Sequence, residues 1–128
     1  MTDDPFQRYL QADDAALEAR WERLQSWLQT RFGRETGIEA ILFLIGIQSR
    51  GRGYEPKLQK ETKQDLIMEG TFCAFEKLGL YERVGMDEEG RWLWERAVPH
   101  IPKLPVEQQE KLLRLGILAY FDEGDSGF

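Results

Sequence analysis

The stretch closest to a known chemical motif is the glycine-rich segment Gly46–Gly53, which follows the apolar run Ile41–Ile45. Its spacing, G-x-x-x-x-G-R-G, approaches the phosphate-binding loop G-x-x-x-x-G-K-[ST], whose lysine contacts phosphates and whose hydroxyl holds magnesium. Here arginine stands at the lysine position and glycine at the hydroxyl position, and Tyr54-Glu-Pro56 cannot begin the helix that must face the anion. We therefore interpret the segment as the end of a buried helix followed by a loop, and not as a nucleotide site.

Residues for nucleophilic or metal chemistry are few. The chain has one cysteine, Cys73, and one histidine, His100. Cys73 lies among apolar neighbours, as a small core residue does, although the fold could still bring His100 to it as a base. His100 lies between two prolines, where a surface or packing role is favoured, and a single histidine excludes a multi-histidine metal site. We predict no catalytic residue, no metal site and no cofactor, and we favour a protein that is not an enzyme.

Basic side chains are concentrated in two places. One is a stripe on the first long helix that includes a tryptophan: Arg20, Arg23, Trp27, Arg31 and Arg34. The other is a run with few acidic residues: Arg50, Arg52, Lys57, Lys60 and Lys63. Arginines around a tryptophan can bind an acidic protein, a phosphate or a nucleic-acid backbone. The alternative is that they pair with the protein's own carboxylates, because the net charge is −6, and this charge also disfavours nucleic acid as a partner.

The element that positions the arginine stripe is a helix predicted from about Asp14 to Phe32. Asp13 or Asp14 provides the N-cap, and Gly33 follows where a left-handed C-cap belongs. A shorter helix is expected within residues 3–11. The apolar stripe of the long helix recurs at helical spacing and consists of Leu17, Trp21, Leu24, Leu28 and Phe32.

A second helix is predicted to be the central one. Thr36-Gly-Ile-Glu39 reads as a capping box, and Ile38–Gln48 is apolar on almost every side. The isoleucines also permit a strand, but the capping box and the lack of alternation favour a helix. A third helix is expected from about Glu61 to Leu78, with Gly79 as its C-cap.

The following segment changes to a β pattern. Leu80–Met86 and Arg91–Arg96 flank Asp87-Glu-Glu-Gly90, which suits a β-hairpin with a left-handed glycine. Trp92 and Trp94 would share one face, and that face must pack on helices because a lone hairpin is marginal in water.

Three prolines then predict an extended connector from Val98 to Pro105. Pro105 suits the first position of a last helix that runs to about Phe121, with the apolar residues Val106, Leu112, Leu113, Gly116, Ile117, Tyr120 and Phe121 available for burial. Gly70 and Gly116 each cost a helix about 1 kcal/mol relative to alanine, which indicates close approach of helices at both positions.

Four segments together resemble a small family of uncharacterised bacterial proteins, over about residues 36–121: Ile41–Gln48, Leu78–Glu82, Asp87–Gly90 before an aromatic segment, and Glu107–Leu113. The resemblance implies a bacterial, cytoplasmic origin. It implies no function and supplies no site residues.

The predicted fold is mainly α: one domain over residues 1–128, a helical bundle of four or five helices around the central apolar helix with one β-hairpin packed on it. Residues 1–12 form a short N-terminal segment and residues 122–128 an acidic, frayed tail. The N-terminus lacks the apolar core of a signal peptide, and the longest apolar run, Ile41–Ile47, is far short of the ~20 residues that span a bilayer. We therefore expect a cytoplasmic protein without a membrane partner.

Two functional hypotheses follow. The first is a non-enzymatic interaction or adaptor protein that binds another protein, or a second copy of itself, through Trp92, Trp94 and the arginine-edged helix. The second is a binder of a small anionic ligand, such as a phosphorylated metabolite, through the arginine stripe and the basic loop that contains Arg50 and Arg52.

Overall fold

The computed structural model describes residues 5–33, 36–49, 63–88 and 91–123, and every structural statement below concerns those residues. They form five helices and one two-stranded antiparallel sheet, as the mainly α prediction required. In chain order the elements are α1 (Pro5–Leu10), α2 (Asp14–Phe32), α3 (Ile38–Ser49), α4 (Lys63–Lys77), β1 (Tyr81–Met86), β2 (Trp92–Arg96) and α5 (Val106–Glu123).

Helix α2 begins and ends at the predicted residues, and both caps are confirmed. The Asp13 carboxylate accepts the Ala16 N–H at 3.1 Å, and Gly33, with φ of 75°, donates its N–H to the Gln29 carbonyl. The apolar stripe is buried except for Phe32, which is 51% exposed. At roughly 100° per residue Phe32 lies about 60° from Leu17, so it falls at the margin of the stripe and in the last turn.

Helix α3 is a helix and not a strand, and it buries Ile41, Leu42 and Ile45. The helix begins at Ile38, and the Gly37 carbonyl accepts its first bond, from the Ile41 N–H at 3.0 Å, so Thr36 lies one residue before the N-cap position that the capping box predicted. Thr36 is itself buried and tied to α2. The Gln25 side-chain amide donates to the Thr36 carbonyl at 2.7 Å, and its oxygen accepts the Thr36 N–H at 3.3 Å. This pair fixes where the chain enters α3.

Glycines allow the helices to approach backbone to backbone. A Cβ added at Gly70 would overlap the Leu42 carbonyl of α3, and one at Gly116 would lie 2.6 Å from the Ala74 carbonyl oxygen of α4. Close approach at both glycines is therefore confirmed. A third such contact, which the sequence analysis did not anticipate, lies at Gly46.

Helix α4 ends in a glycine cap that turns the chain directly into the hairpin. Gly79 has φ of 76° and donates to the Glu76 carbonyl, while the Leu80 N–H donates to the Phe75 carbonyl, both at 3.0 Å. This is a Schellman arrangement, in which the apolar side chains of Phe75 and Leu80 belong to one buried cluster. The predicted C-cap at Gly79 is confirmed.

The hairpin pairs β1 with β2, with a register shift between Arg83 and Gly85. Its inner face packs on α4, where the Trp94 ring stacks on Phe72 at 5.5 Å between centroids. The Ala97 N–H donates to the Leu80 carbonyl and extends the pairing at the base. The hairpin prediction is confirmed, while Gly90, the predicted left-handed glycine, lies outside the described residues.

Helix α5 contacts each of the other four helices, α1 to α4. It starts at Val106, and the Pro105 carbonyl accepts the first helical bonds, from the N–H groups of Gln108 and Gln109. Pro105 therefore precedes the helix instead of occupying its first position. The helix continues past Phe121 to Glu123, two residues further than predicted.

Burial along α5 differs from the prediction at two positions. Val106 is 74% exposed because it stands in the first turn, and Leu118, which was not predicted, is fully buried. With Ile117 it joins the main core, which combines residues of α2, α3, α4 and α5. A smaller cluster joins α1 to the end of α4 and to α5: Phe6, Leu78, Leu80 and Leu112.

Candidate functional site

The one cysteine is a core residue. Cys73 is fully buried, and burial raises the pKa of its thiol above the ordinary value of 9.0, although the Ser49 side chain and the Arg83 charge act in the opposite direction. The thiol therefore stays protonated near neutral pH. His100, the only histidine, is exposed on the connector. The described residues also contain no group of three or more His, Cys, Asp or Glu side chains arranged to hold a metal ion.

A polar cluster that the sequence analysis missed lies beneath the hairpin. Arg83 is held between Trp92 and Trp94, with its guanidinium carbon 4.7 and 5.0 Å from the two ring centroids. Its Nε lies 3.2 Å from a carboxylate oxygen of Glu76, and its terminal nitrogen lies 3.6 Å from the sulfur of Cys73. The arginine thus links both strands to α4 by contacts that only a planar cation can make.

The sequence contained a signal for this cluster. Alternation along β1 places Arg83 on the same face as Tyr81, and that face must meet the one that carries Trp92 and Trp94. A single arginine on the packed face of a hairpin requires partners, and the two tryptophans and a nearby acid supply them.

A buried carboxylate extends the cluster towards α3. Glu69 is 8% exposed and accepts a hydrogen bond from the Ser49 hydroxyl at 3.1 Å. The Ser49 carbonyl in turn accepts from the indole nitrogen of Trp92 at 3.4 Å. These contacts connect the end of α3 to the middle of α4 and to the hairpin.

The arginine stripe of α2 is partly engaged within the protein. Arg20 forms an ion pair with Asp122 of α5, and the Arg31 guanidinium covers the Trp27 ring at 4.5 Å. The same ring meets Phe121 edge-on at 5.8 Å. Arg23 is exposed. Three further predicted binding residues, Arg34, Arg50 and Arg52, lie outside the described residues.

The predicted tryptophans of the hairpin face inward. Trp92 and Trp94 are half-buried against Arg83, Ser49 and Phe72. They support the hairpin and do not form an exposed contact surface. Of the predicted binding residues, Trp27 lies against Phe121 of α5, whereas Trp92 donates to the Ser49 carbonyl at the end of α3.

Exposed apolar residues lie on the side of the hairpin opposite the packed one, which we call the outer face. Among the described residues, six large hydrophobic side chains are exposed, and two of them belong to this face: Val84 and Leu93. Gly85 pairs with Leu93 at the bulge that follows Arg83, so Val84 and Leu93 adjoin. Met86 is also exposed, but it stands opposite Trp92 and so belongs to the side of the ribbon that carries the tryptophans. A two-stranded ribbon with apolar residues on both faces is unusual, because one face then remains in water.

Two glutamates complete the outer face at its base. Glu82 and Glu95 are exposed and stand directly opposite each other in the strand register. Like charges in opposed positions destabilise a sheet, and neither carboxylate forms an ion pair with a described residue. The outer face therefore has an apolar half and an acidic half.

Searches of protein-family models, curated proteins and solved structures find no match to the chain. That result agrees with a resemblance that carries no function. Within the described ranges, no helix combines the length and the apolar character that crossing a membrane requires.

Proposed function

We propose that the protein is a non-enzymatic interaction module whose contact surface is the outer face of the hairpin. The observation that carries the proposal is the exposure of Val84 and Leu93, at 52 and 47%, beside each other on one side of one ribbon. Apolar groups clustered in this way mark surfaces that are covered by a partner. The inner face cannot serve, because it is packed on α4.

The acidic half of the outer face defines the chemistry of the partner. Glu82 and Glu95 repel each other across the strands, and a lysine or arginine placed between them would remove that repulsion. We therefore commit to a partner protein whose contacting segment carries apolar side chains beside one or two basic residues. The strand edges also present unpaired backbone groups that an extended segment can use.

The second hypothesis, a small-anion site on the arginine stripe, receives less support. Arg20 already has a carboxylate partner and Arg31 lies over an indole ring. An anion would have to compete with both contacts.

A photo-crosslinking residue at position 93, compared with one at the exposed position 106 on α5, tests the proposal. Val106 is the more exposed of the two residues, so accessibility alone would favour an adduct at position 106. We expect a discrete adduct with a partner protein from position 93 only, and the crosslinked peptide should contain apolar and basic residues. An adduct of twice the chain's mass would show that a second copy of this protein binds the outer face, and it would refute the proposed partner. Equal adducts from both positions would overturn the surface itself.

Binding of the purified partner then provides the quantitative test. Leu93→Lys should weaken binding at least tenfold, because it places a charge in the apolar half. Glu95→Lys should weaken it and reduce its salt dependence, since a rim charge acts on association. Val106→Lys is the matched control and should leave affinity unchanged. Unchanged affinity in both hairpin variants would refute the proposal.

A further inference from the structure

A concave surface lies at the base of the hairpin, beside the start of β1. A groove of about 340 Å³ opens between α1, the end of α4, the start of β1, the connector and α5. Its walls are mostly apolar and aromatic, and the main contributors are Phe6, Phe75, Tyr81, Ile101, Leu104 and Leu112. At ~30 Å³ per water molecule, the groove has room for about eleven waters, which is too large for one ion and within the range of small-molecule sites.

We propose that this groove binds a small amphiphilic monoanion, a carboxylate attached to a short acyl chain or a single ring. Lys103 is the one charged residue among the described residues that line it, and it is exposed at the rim. Lys103 forms no ion pair with any described residue. Such a ligand would place its apolar part against the apolar walls of the groove and its carboxylate beside the Lys103 ammonium group.

The other polar groups of the lining limit the class of ligand. The Thr71 hydroxyl already donates to the Ile67 carbonyl at 2.9 Å. The Gln109 amide nitrogen donates one N–H to the Leu104 carbonyl at 2.6 Å. The Tyr81 hydroxyl and the second Gln109 N–H remain as neutral donors beside Lys103, too few for the many oxygens of a sugar phosphate, and a cationic ligand would meet Lys103.

The groove is held open by contacts within and beside its lining. The bond from Gln109 ties the connector to α5, and the Tyr9 hydroxyl donates to the Leu78 carbonyl at 2.7 Å, which fixes α1. Phe75 and Tyr81 stack at 6.2 Å with an angle of 21° between their planes. Because these walls are fixed before a ligand arrives, little ordering is needed on binding.

Octanoate, 1-octanol and octylammonium are the probes for the test, since they share one apolar body and differ in charge. The full chain is titrated with each below its aggregation concentration, by calorimetry and by thermal shift. We expect octanoate to bind at least fivefold more tightly than octanol, and octylammonium to bind weakest. Equal binding of the three, or no binding of octanoate, would overturn the proposal.

Two variants locate the site. Lys103→Met should weaken octanoate at least fivefold and bring it to the level of octanol, while octanol binding stays unchanged. Ile101→Trp, which fills the groove from the connector, should weaken octanoate and octanol together. Lys63→Met removes an exposed lysine of α4 that does not line the groove and should change neither. Octanoate affinity that is the same in Lys103→Met as in the unmodified protein would refute the assignment.

Discussion

Gly46 of α3 and Gly70 of α4 make reciprocal contacts, each against the main chain of the other helix. A Cβ at Gly46 would overlap the Leu66 carbonyl, and a Cβ at Gly70 would overlap the Leu42 carbonyl. Neither glycine has a positive φ, so their role is space and not backbone conformation. The two residues set the separation of the most closely packed helix pair in the described chain.

Alanine at Gly46 or Gly70 should therefore destabilise the fold. Alanine favours a helix over glycine by about 1 kcal/mol, but overpacking a core costs about 1–3 kcal/mol or more, and here the obstacle is backbone. We expect a net loss of roughly 2 kcal/mol or more in the free energy of unfolding, measured with urea. Gly37→Ala is the control, because nothing lies within 4 Å of its added Cβ, and it should cost less than about 1 kcal/mol. Equal losses at all three glycines would contradict the packing argument.

Arg83 should not be replaceable by lysine. Lysine keeps the charge but loses the planar contact with Trp92 and Trp94, and Arg83→Met also leaves Glu76 without its cation. We expect losses of about 1 kcal/mol for Arg83→Lys and about 2 kcal/mol for Arg83→Met, with a red shift of tryptophan emission.

A matched control for Arg83 is Arg91→Lys. Arg91 pairs with Asp87 at 3.2 Å, but its side chain is 42% exposed, and such pairs contribute little. A loss below about 0.5 kcal/mol is expected. A loss as large as that of Arg83→Lys would mean that the sandwich between the tryptophans is not the cause.

The thiol of Cys73 should couple stability to alkaline pH. Burial raises its pKa above 9.0 in the folded protein, whereas the unfolded thiol titrates near that value. The unfolded state therefore loses the proton first, and stability falls as pH rises above about 9. In Cys73→Ala the decline above pH 9 should be shallower, whatever the variant loses at neutral pH. Burial also raises the pKa of Tyr120 above 10.0, so both proteins should decline further beyond pH 10. If stability fell with the same slope between pH 9 and 10 in the unmodified protein and in Cys73→Ala, the thiol would not be the cause of the decline.

Lys111 should be a structural lysine. Its ammonium group donates to the carbonyls of Leu10 and Ala12 at 2.8 and 2.7 Å, and its side chain is only 15% exposed. Lys111→Met should cost about 1.5–3 kcal/mol, since it strands two carbonyls of the turn between α1 and α2. Hydrogen exchange in α1 should accelerate. Asp14, which also pairs with Lys111, is 88% exposed, so Asp14→Asn should change stability by less than about 0.5 kcal/mol.

Local patterns in the sequence predicted the elements well. Asp13 and Gly33 bound α2 because a side-chain cap and a left-handed glycine act within one turn of chain. Gly79 ended α4 for the same reason. Gly70 and Gly116 were found because glycine inside a helix has a cost that only close packing offsets.

Long-range pairing set the limit of sequence prediction. The partners of Arg83 come from α4 and β2, and its place between two indole rings depends on a hairpin register that shifts at a bulge. The outer face was missed because two tryptophans drew attention to the inner one. Its Val84 and Leu93 are ordinary strand residues whose exposure follows only from which side meets α4. The groove was not predictable because it forms between α1 and the connector, which are far apart in the sequence.

The position of α5 also has a consequence for biosynthesis. This helix covers parts of α1, α2, α3 and α4, yet it follows all of them in the chain. During translation, the apolar sides of α1 to α4 are therefore exposed before α5, which covers them in the folded protein, has been synthesised. The nascent chain therefore presents Leu24, Ile41 and Cys73 to chaperones until α5 emerges, and the final fold forms late instead of growing from the N-terminus.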